Sequence, residues 1–175
     1  MKPNNIKEIG FDQILEWIDF DYIDNDVILY SDVKELPFTD DVLNTNIVTT
    51  AVSLKGKMQS DINAKWLQVE QNDILVCLPN TYIRNVLLSP DFGCNILCLS
   101  TRVVTDFIPE NKLWDKINVL SADSIIYVSN DNLHVFELYM DILKTKLQAP
   151  SSRYKKEILY SIIKTCLLEL LENIH

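Results

Sequence analysis

Short apolar segments alternate with turn signals between residues 47 and 100. Of all the features of the sequence, this regular spacing most restricts the fold classes that the chain can adopt. Residues 47–54 are rich in β-branched side chains and end at the Lys55-Gly56-Lys57 turn. Further polar or proline-containing turns lie at residues 63–65, 71–73, 79–80 and 89–91. Strands that are interrupted every 8 to 12 residues or so are typical of antiparallel sandwiches and barrels, because parallel strands need longer crossover connections. The sequence therefore predicts an antiparallel β domain in this region.

The segments on either side of this region add a few elements. Apolar side chains share one helical face over residues 11–18, and residues 27–30 form an apolar run that predicts a strand. Residues 31–46 contain proline, aspartate and asparagine and predict a loop. Ser100 is a suitable cap for a helix that ends near Phe107, ahead of a proline, and residues 124–128 predict another strand.

The last 46 residues have a helical pattern instead. Ser129 and the residues after it offer N-caps for a helix with apolar side chains at alternating spacings of 3 and 4, and residues 149–152 break this helix and are expected to cap a second one. The second helix carries adjacent apolar pairs every four residues, so its apolar stripe is wider than one partner needs. We expect one face to pack on the first helix and the other on a second subunit, with the interface formed by Leu159, Ile163, Cys166, Leu167, Leu170 and Ile174. The alternative is that both faces fold back onto the β domain.

Charge and hydropathy limit the compartment and the partners. The net charge is −9, and residues 1–50 hold eleven acidic residues against three basic ones. This excess argues against direct binding of nucleic acid by these residues, because non-specific affinity comes from Lys and Arg neutralising phosphates. The sequence has no apolar run of about 18 residues and no signal-peptide pattern at its start. We therefore expect a cytoplasmic protein without membrane contact, in which the four cysteines stay reduced.

The residues that carry most enzyme chemistry are scarce. Only two histidines occur, His134 and His175, whereas a catalytic metal site normally needs two or three imidazole ligands. The three glycines are too scattered to form a phosphate-binding loop, and no nucleophile-elbow pattern occurs. We therefore expect no catalytic residue, no metal ion and no cofactor, and we expect that the protein is not an enzyme.

The order of the segments resembles the N-terminal sensor and dimerisation domain of AraC-type (arabinose-regulator family) transcription regulators. The matching features are the 63–65 turn, Asn72-Asp73 before the apolar residues 74–78, the Pro79-Asn80 pair and the C-terminal helical hairpin. The resemblance covers roughly residues 25–172. It implies an α+β fold, with a cupin-like antiparallel β-barrel (a double-stranded β-helix) followed by a two-helix hairpin.

The resemblance also implies that two parts of the chain have different functions. Residues 1–128 would form the cupin-like effector-sensing domain with its N-terminal arm. Residues 129–175 would form the hairpin that dimerises and connects to a DNA-binding domain with two helix-turn-helix units. That DNA-binding half is absent from these residues, and we expect that they are a fragment of a longer regulator. Metal-binding cupins have a histidine a few residues beyond the proline, but the corresponding stretch here, residues 80–84, has none.

A small β-barrel can enclose one ligand, so the candidate effector contacts are barrel-strand residues with a polar group. These are Trp66, Cys77, Tyr82, Arg84 and Cys98. Arg84 stands in an otherwise apolar strand and suits an anionic effector, because its guanidinium can form two parallel hydrogen bonds to a carboxylate. For each of these residues the alternative is an ordinary core or surface role. Two other functions stay open, namely a stand-alone cupin-like binding module without DNA binding and a cupin enzyme.

Overall fold

Two β-sheets and five helices make up the computed structural model, which describes residues 6–15, 21–23, 25–36, 41–108 and 110–174. The helices are α1 (Phe11–Leu15), α2 (Thr101–Phe107), α3 (Glu110–Ala122), α4 (Asn130–Gln148) and α5 (Lys155–Glu172). The five-stranded sheet has the order β1 (Ile6–Ile9), β4 (Val42–Thr45), β9 (Thr81–Leu88), β6 (Met58–Ile62) and β7 (Lys65–Val69). The six-stranded sheet has the order β11 (Ile125–Tyr127), β8 (Asp73–Cys77), β5 (Val48–Lys55), β10 (Gly93–Leu99), β3 (Val27–Val33) and β2 (Asp21–Ile23).

The predicted α+β class, with an antiparallel β domain and a C-terminal helical hairpin, is confirmed. All the strand pairs in both sheets are antiparallel except β1 with β4, which is parallel. The two sheets are separate hydrogen-bonded units, so the β domain is a pair of sheets and does not close into a continuous barrel. One hydrophobic cluster joins the inner faces of the two sheets and includes Met58, Val69 and Val86 of the first and Leu75 and Cys94 of the second.

Tight turns at the predicted positions connect the strands. Gly56 has φ = +67°, a conformation that side chains with a Cβ rarely adopt, and it connects β5 to β6. Asn63 and Ala64 also have positive φ values and connect β6 to β7. The Asn63 backbone N–H donates to the Tyr82 carbonyl, and its side-chain oxygen accepts from the Tyr82 N–H. These two bonds hold the β6–β7 turn against β9.

The C-terminal hairpin covers the outer face of the six-stranded sheet. Val52, Val76 and Leu97 on that face belong to the same hydrophobic cluster as Phe136 and Leu143 of α4. The cluster also contains all six residues that were predicted to form a dimer interface: Leu159, Ile163, Cys166, Leu167, Leu170 and Ile174. None of these six is more than 6% exposed. The wide apolar stripe of α5 therefore packs on α4 and on the sheet of its own chain, which is the alternative that the sequence left open.

Three local features differ from the sequence-based expectations. Residues 31–46 were expected to form a loop, but β3 extends to Val33 and β4 lies at Val42–Thr45, because β4 gains hydrogen bonds from β1 and β9. No side chain caps α5 at the predicted position: its N-cap residue is Tyr154, which makes no side-chain capping bond. Helix α3 was not predicted as a distinct element.

The predicted first helix is present over Phe11–Leu15, and Ile18 lies outside the described residues. No helix in the described ranges is long and apolar enough to cross a bilayer.

Candidate ligand-binding site

A cavity of about 560 Å³ lies between the outer face of the six-stranded sheet and the helices, and we call it the helix–sheet cavity. Its buried floor is formed by Val48 and Thr50 of β5, Val76 of β8, Ile126 of β11 and Leu120 of α3. A volume in the range of roughly 300–1,000 Å³ and a mainly apolar lining are typical of small-molecule sites. The cavity therefore has the size and character of a ligand site.

The last turns of α5 form one wall of this cavity. Leu167, Leu170, Leu171 and Ile174 all line it. The Asn173 side chain accepts a hydrogen bond from Asn132 of α4, at 2.9 Å. The Lys116 Nζ of α3 donates to the Ile174 carbonyl at 2.5 Å. The end of α5 is thus held by both neighbouring helices at the place where it meets the cavity.

Polar residues surround the opening of the cavity. Asn63, Asn80, Thr101, Thr105 and Ser121 line it and are exposed. The β8–β9 turn at this rim is well ordered by hydrogen bonds, because the Leu78 carbonyl accepts from two threonine hydroxyls, Thr81 Oγ1 at 2.6 Å and Thr45 Oγ1 at 3.1 Å. A ligand could therefore enter past polar groups and place an apolar body on the floor.

Helix α2 and helix α5 are joined through a carboxylate beside this region. Asp26 Oδ1 accepts from the hydroxyl of Ser100, the N-cap residue of α2, at 2.9 Å. Asp26 Oδ2 accepts from the Tyr160 hydroxyl of α5 at 2.8 Å and also from the Arg102 guanidinium. Desolvation raises the pKa of the Asp26 carboxyl, but the hydrogen bonds from Tyr160, Arg102 and Ser100 outweigh it and hold that pKa below its ordinary value.

Three of the five sequence-predicted ligand contacts lie on the outer face of the five-stranded sheet. Trp66 is 49% exposed and Tyr82 is 44% exposed, and the Arg84 side chain is also about half exposed. Trp66 and Arg84 both pair in register with Asp61, whose carboxylate lies 3.5 Å from the Arg84 Nε. These side chains therefore do not line the space between the sheets. A ligand that they held would bind on the outside of the sheet, and such a role stays a prediction.

The other two predicted contacts, Cys77 and Cys98, lie between the sheets. Both pair in register with Thr49, whose hydroxyl is 3.7 Å from the Cys98 sulfur. Burial raises the pKa of each thiol to about 12, so the neutral thiol is the stable form. The interior cavity beside Cys77 has a volume of only about 80 Å³. Side chains therefore fill the space between the two sheets, where the effector was predicted to bind. The helix–sheet cavity, which is larger, lies outside the sheets.

None of the ligand contacts predicted from the sequence lines the helix–sheet cavity. Its lining residues come from at least five elements that are distant in the chain, so no spacing pattern marks them. Within the described residues, no three His, Cys, Asp or Glu side chains are close enough to share a metal ion.

Comparison with known proteins gives a fold likeness at low sequence identity. No protein-family model and no curated protein sequence matches the chain. An apo ToxT variant from Vibrio cholerae superposes with a TM-score of 0.51 and 7% identity, over 86% of this chain and 59% of that one. The AraC-like transcriptional activator CuxR gives a TM-score of 0.44 and 11% identity, over 82% of this chain and 49% of that one. A variant of Streptomyces PAC13 with uridine gives a TM-score of 0.35 and 19% identity, over 45% of this chain and 62% of that one.

The comparison with ToxT, at 7% identity and a TM-score of 0.51, shows a likeness in fold. Solved structures that resemble this chain include AraC-like regulators and cupin proteins. The ToxT superposition includes most of the chain, so the likeness is not limited to a few strands. The chain spans less than two thirds of the length of the PAC13 and ToxT chains that it matches.

Proposed function

We propose that this chain is the effector-sensing and dimerisation part of an AraC-type transcription regulator. It would couple the binding of a small molecule to the placement of a DNA-binding domain that lies outside these residues. The observation that carries this proposal is the position of the helix–sheet cavity, one wall of which is formed by the last turns of α5. The fold likeness to ToxT, which includes 86% of this chain, supports it.

The mechanism would be a shift between conformational populations. A ligand that contacts Leu170, Leu171 and Ile174 favours the arrangement in which the end of α5 is docked on α3 and the sheet. A domain that follows α5 would then be held in one orientation, and it would be released when the ligand leaves. The ligand can shift this equilibrium only by its difference in affinity for the two arrangements.

Homodimerisation is the second half of the proposal. The six predicted interface residues are buried in the chain, so a dimer would use the solvent-facing side of the hairpin. On α4, Val135, Leu138 and Ile142 follow one another at helical spacing and are 37%, 47% and 46% exposed. A contact through this face would leave the core intact.

Sedimentation tests the dimer directly. The purified chain should sediment at about 40 kDa, which is twice its mass of 20.2 kDa. Leu138→Asp should give a folded monomer, while the matched surface variant Glu137→Asp should stay dimeric. A wild-type chain that stays at the monomer mass at high micromolar concentration would exclude the dimer.

A gene-fusion assay tests the regulatory role. A DNA-binding domain that represses only as a dimer, and that lacks its own dimerisation region, is fused after residue 174. Repression of a reporter by the fusion, and its loss in the Leu138→Asp fusion at equal protein level, is the expected result. A fusion that is stable but never represses would contradict the proposal.

The alternatives make different predictions. A stand-alone binding module would bind a small molecule in the cavity but would give no repression in the fusion assay. A cupin enzyme would carry a stoichiometric transition metal after purification, which metal analysis would detect. We propose a non-catalytic role and assign no catalytic residue, metal ion or cofactor.

A further inference from the structure

The lining of the helix–sheet cavity is asymmetric in charge. Its floor and the α5 wall are apolar, and most of its polar lining residues are uncharged Ser, Thr and Asn side chains. Among the described residues that line it, Lys116 is the one charged side chain, and no carboxylate contributes to the lining. A cavity of this kind favours a ligand with an apolar body and a single negative charge, because a cation would find no complementary group and the second charge of a dianion would stay unpaired.

Lys116 has donor capacity left for such a ligand. Its ammonium group carries three N–H donors, and one of them is used by the Ile174 carbonyl at 2.5 Å. No carboxylate in the described ranges lies within ion-pair distance of Lys116. The side chain is only partly exposed, so an ion pair formed there is less screened by water than one on the open surface.

We propose that the helix–sheet cavity binds a small apolar carboxylate, and that Lys116 binds the carboxylate group while it keeps its hydrogen bond to the Ile174 carbonyl. This inference rests on the proposed effector-sensing function, for which it names the ligand class and the coupling residue. The apolar body of the ligand would pack on Val76, Leu120 and Ile126. Lys116 would thereby join the ligand, α3 and the end of α5.

The coupling follows from the geometry of this lysine. With the carboxylate bound, the ammonium group is fixed between two acceptors, and the apolar body fills the space against Leu167 and Leu170. Both effects favour the docked position of the last turn of α5. The backbone amides of residues 170–174 should therefore exchange their hydrogens more slowly when the ligand is bound.

Two matched ligand pairs test the charge preference by titration calorimetry on the chain as it exists. The probes are 1-naphthaleneacetate with its neutral amide, and 4-phenylbutyrate with its neutral amide, so that one rigid and one flexible body are used. At least one acid should bind about tenfold or more tightly than its amide, as expected for one charge-assisted hydrogen bond. If neither acid binds more tightly than its amide, the proposal is overturned.

Variants locate the site and identify the lysine. Lys116→Met should abolish the preference for the acid and leave the weak binding of the amide unchanged, and Lys116→Arg should retain the preference. Lys155→Met is the matched control, because Lys155 also donates to helix-end carbonyls, those of Leu147 and Ala149, but lies away from the cavity. Ser121→Trp, at the exposed rim, should weaken both probes. An acid preference that survives in Lys116→Met would overturn the assignment.

Hydrogen exchange then tests the coupling. The bound acid should protect residues 170–174 in the wild type and in Lys155→Met, but not in Lys116→Met. Binding without this protection would refute the coupling. If the acid binds as expected but the fusion does not repress, the regulatory function is refuted and the carboxylate site stands. If the fusion represses but neither acid binds, only the carboxylate site is refuted.

Discussion

The hydrogen bond between Tyr160 and Asp26 is the interaction whose removal tests most cleanly how α5 is held on the β domain. The Tyr160 hydroxyl donates to Asp26 Oδ2 at 2.8 Å and so connects α5 to the turn between β2 and β3. Tyr160→Phe removes only this hydroxyl. The ring and its edge-to-face contact with Phe107, at 5.6 Å between centroids, are retained. The perturbation is therefore limited to the polar contacts of this hydroxyl, which are the bond to Asp26 and an interaction with the neighbouring Arg102 guanidinium.

The expected loss is about 1–2 kcal/mol in the free energy of unfolding. A hydrogen bond to a charged group contributes about 1.5–3 kcal/mol, and the Asp26 side chain is 13% exposed, so water compensates little. The expected loss lies at the bottom of that range or slightly below it, because Ser100 and Arg102 still donate to the carboxylate in the variant. For a chain of this size each kcal/mol changes Tm by about 2–4 °C, so Tm should fall by about 2–8 °C.

The effect of Tyr160→Phe should depend on pH in a defined direction. Desolvation raises the pKa of Asp26, and the hydrogen bonds from Tyr160, Arg102 and Ser100 outweigh it, so the folded-state pKa lies below the reference value of 3.8. A carboxyl with a lowered pKa contributes stability that is fully present above the unfolded-state pKa and is lost as pH falls through the folded-state pKa. The difference between wild type and variant should therefore be constant near neutral pH and shrink below about pH 4.

Urea unfolding followed by circular dichroism measures these free energies. The set comprises wild type, Tyr160→Phe, Asp26→Asn and the double variant, and the coupling energy from this cycle should be about 1 kcal/mol. Tyr154→Phe is the matched control, because Tyr154 precedes the same helix, is 57% exposed and makes no side-chain capping bond. Two results would contradict a stabilising Tyr160–Asp26 bond. One is a free energy of unfolding for Tyr160→Phe within about 0.3 kcal/mol of wild type at neutral pH. The other is a loss in the Asp26→Asn background that equals the loss in the wild-type background.

Three further predictions follow from burial and backbone geometry. Ile163→Asp, at a side chain with no exposed surface, should destabilise by about 4 kcal/mol or more and yield an unfolded chain in circular dichroism; a folded monomer would instead support the sequence-based interface. Gly56→Ala should cost about 1–3 kcal/mol in urea unfolding, because φ is +67° and an added Cβ would lie 2.5 Å from Ser89 Oγ and 2.7 Å from the Phe92 backbone; an unchanged midpoint would contradict this. Burial raises the pKa of all four cysteine thiols to about 12. They should therefore not react with a thiol reagent at about pH 8 until guanidinium chloride unfolds the chain. Rapid labelling of any one in the folded state would show that it is accessible.

Local signals in the sequence were sufficient for the features that depend on near neighbours. Ser100 and Ser129 were predicted as helix caps, and each side chain accepts from a backbone N–H three residues later. The turns at Gly56 and at residues 63–64 were predicted from turn composition and have the expected positive φ values. Capping and tight turns are determined by residues within about four positions of each other, so a single sequence carries the necessary information.

Strand β4 shows where local signals are insufficient. Asn44 and Asn46 lie among residues of loop-like composition, yet Val42–Thr45 is a strand that pairs with β1 on one side and β9 on the other. Its hydrogen bonds come from segments more than 30 residues away in both directions. The tertiary partners therefore override the local preference.

The direction in which side chains point was also decided by the tertiary structure. Alternation along β9 indicates that Tyr82 and Arg84 share a face, but it does not say whether that face is inside or outside the pair of sheets. The packing of the two sheets puts both side chains outside, at about half exposure. The same limit applies to α5. Its wide apolar stripe was predicted to pack partly on a second subunit, but the six side chains named for that interface are buried against α4 and the sheet of their own chain.

The sequence by itself thus determined the strands between residues 47 and 100, their turns, the C-terminal helices and the α+β class, since hydrophobic period and turn residues act over short distances. Only the tertiary structure decided which surfaces cover one another, because the free energy of burial has no direction and does not distinguish a second subunit from the chain's own sheet. The helix–sheet cavity is the clearest result of that choice. It is the space left where α2, α3 and α5 meet the sheet, and Lys116 in its lining reaches the end of α5.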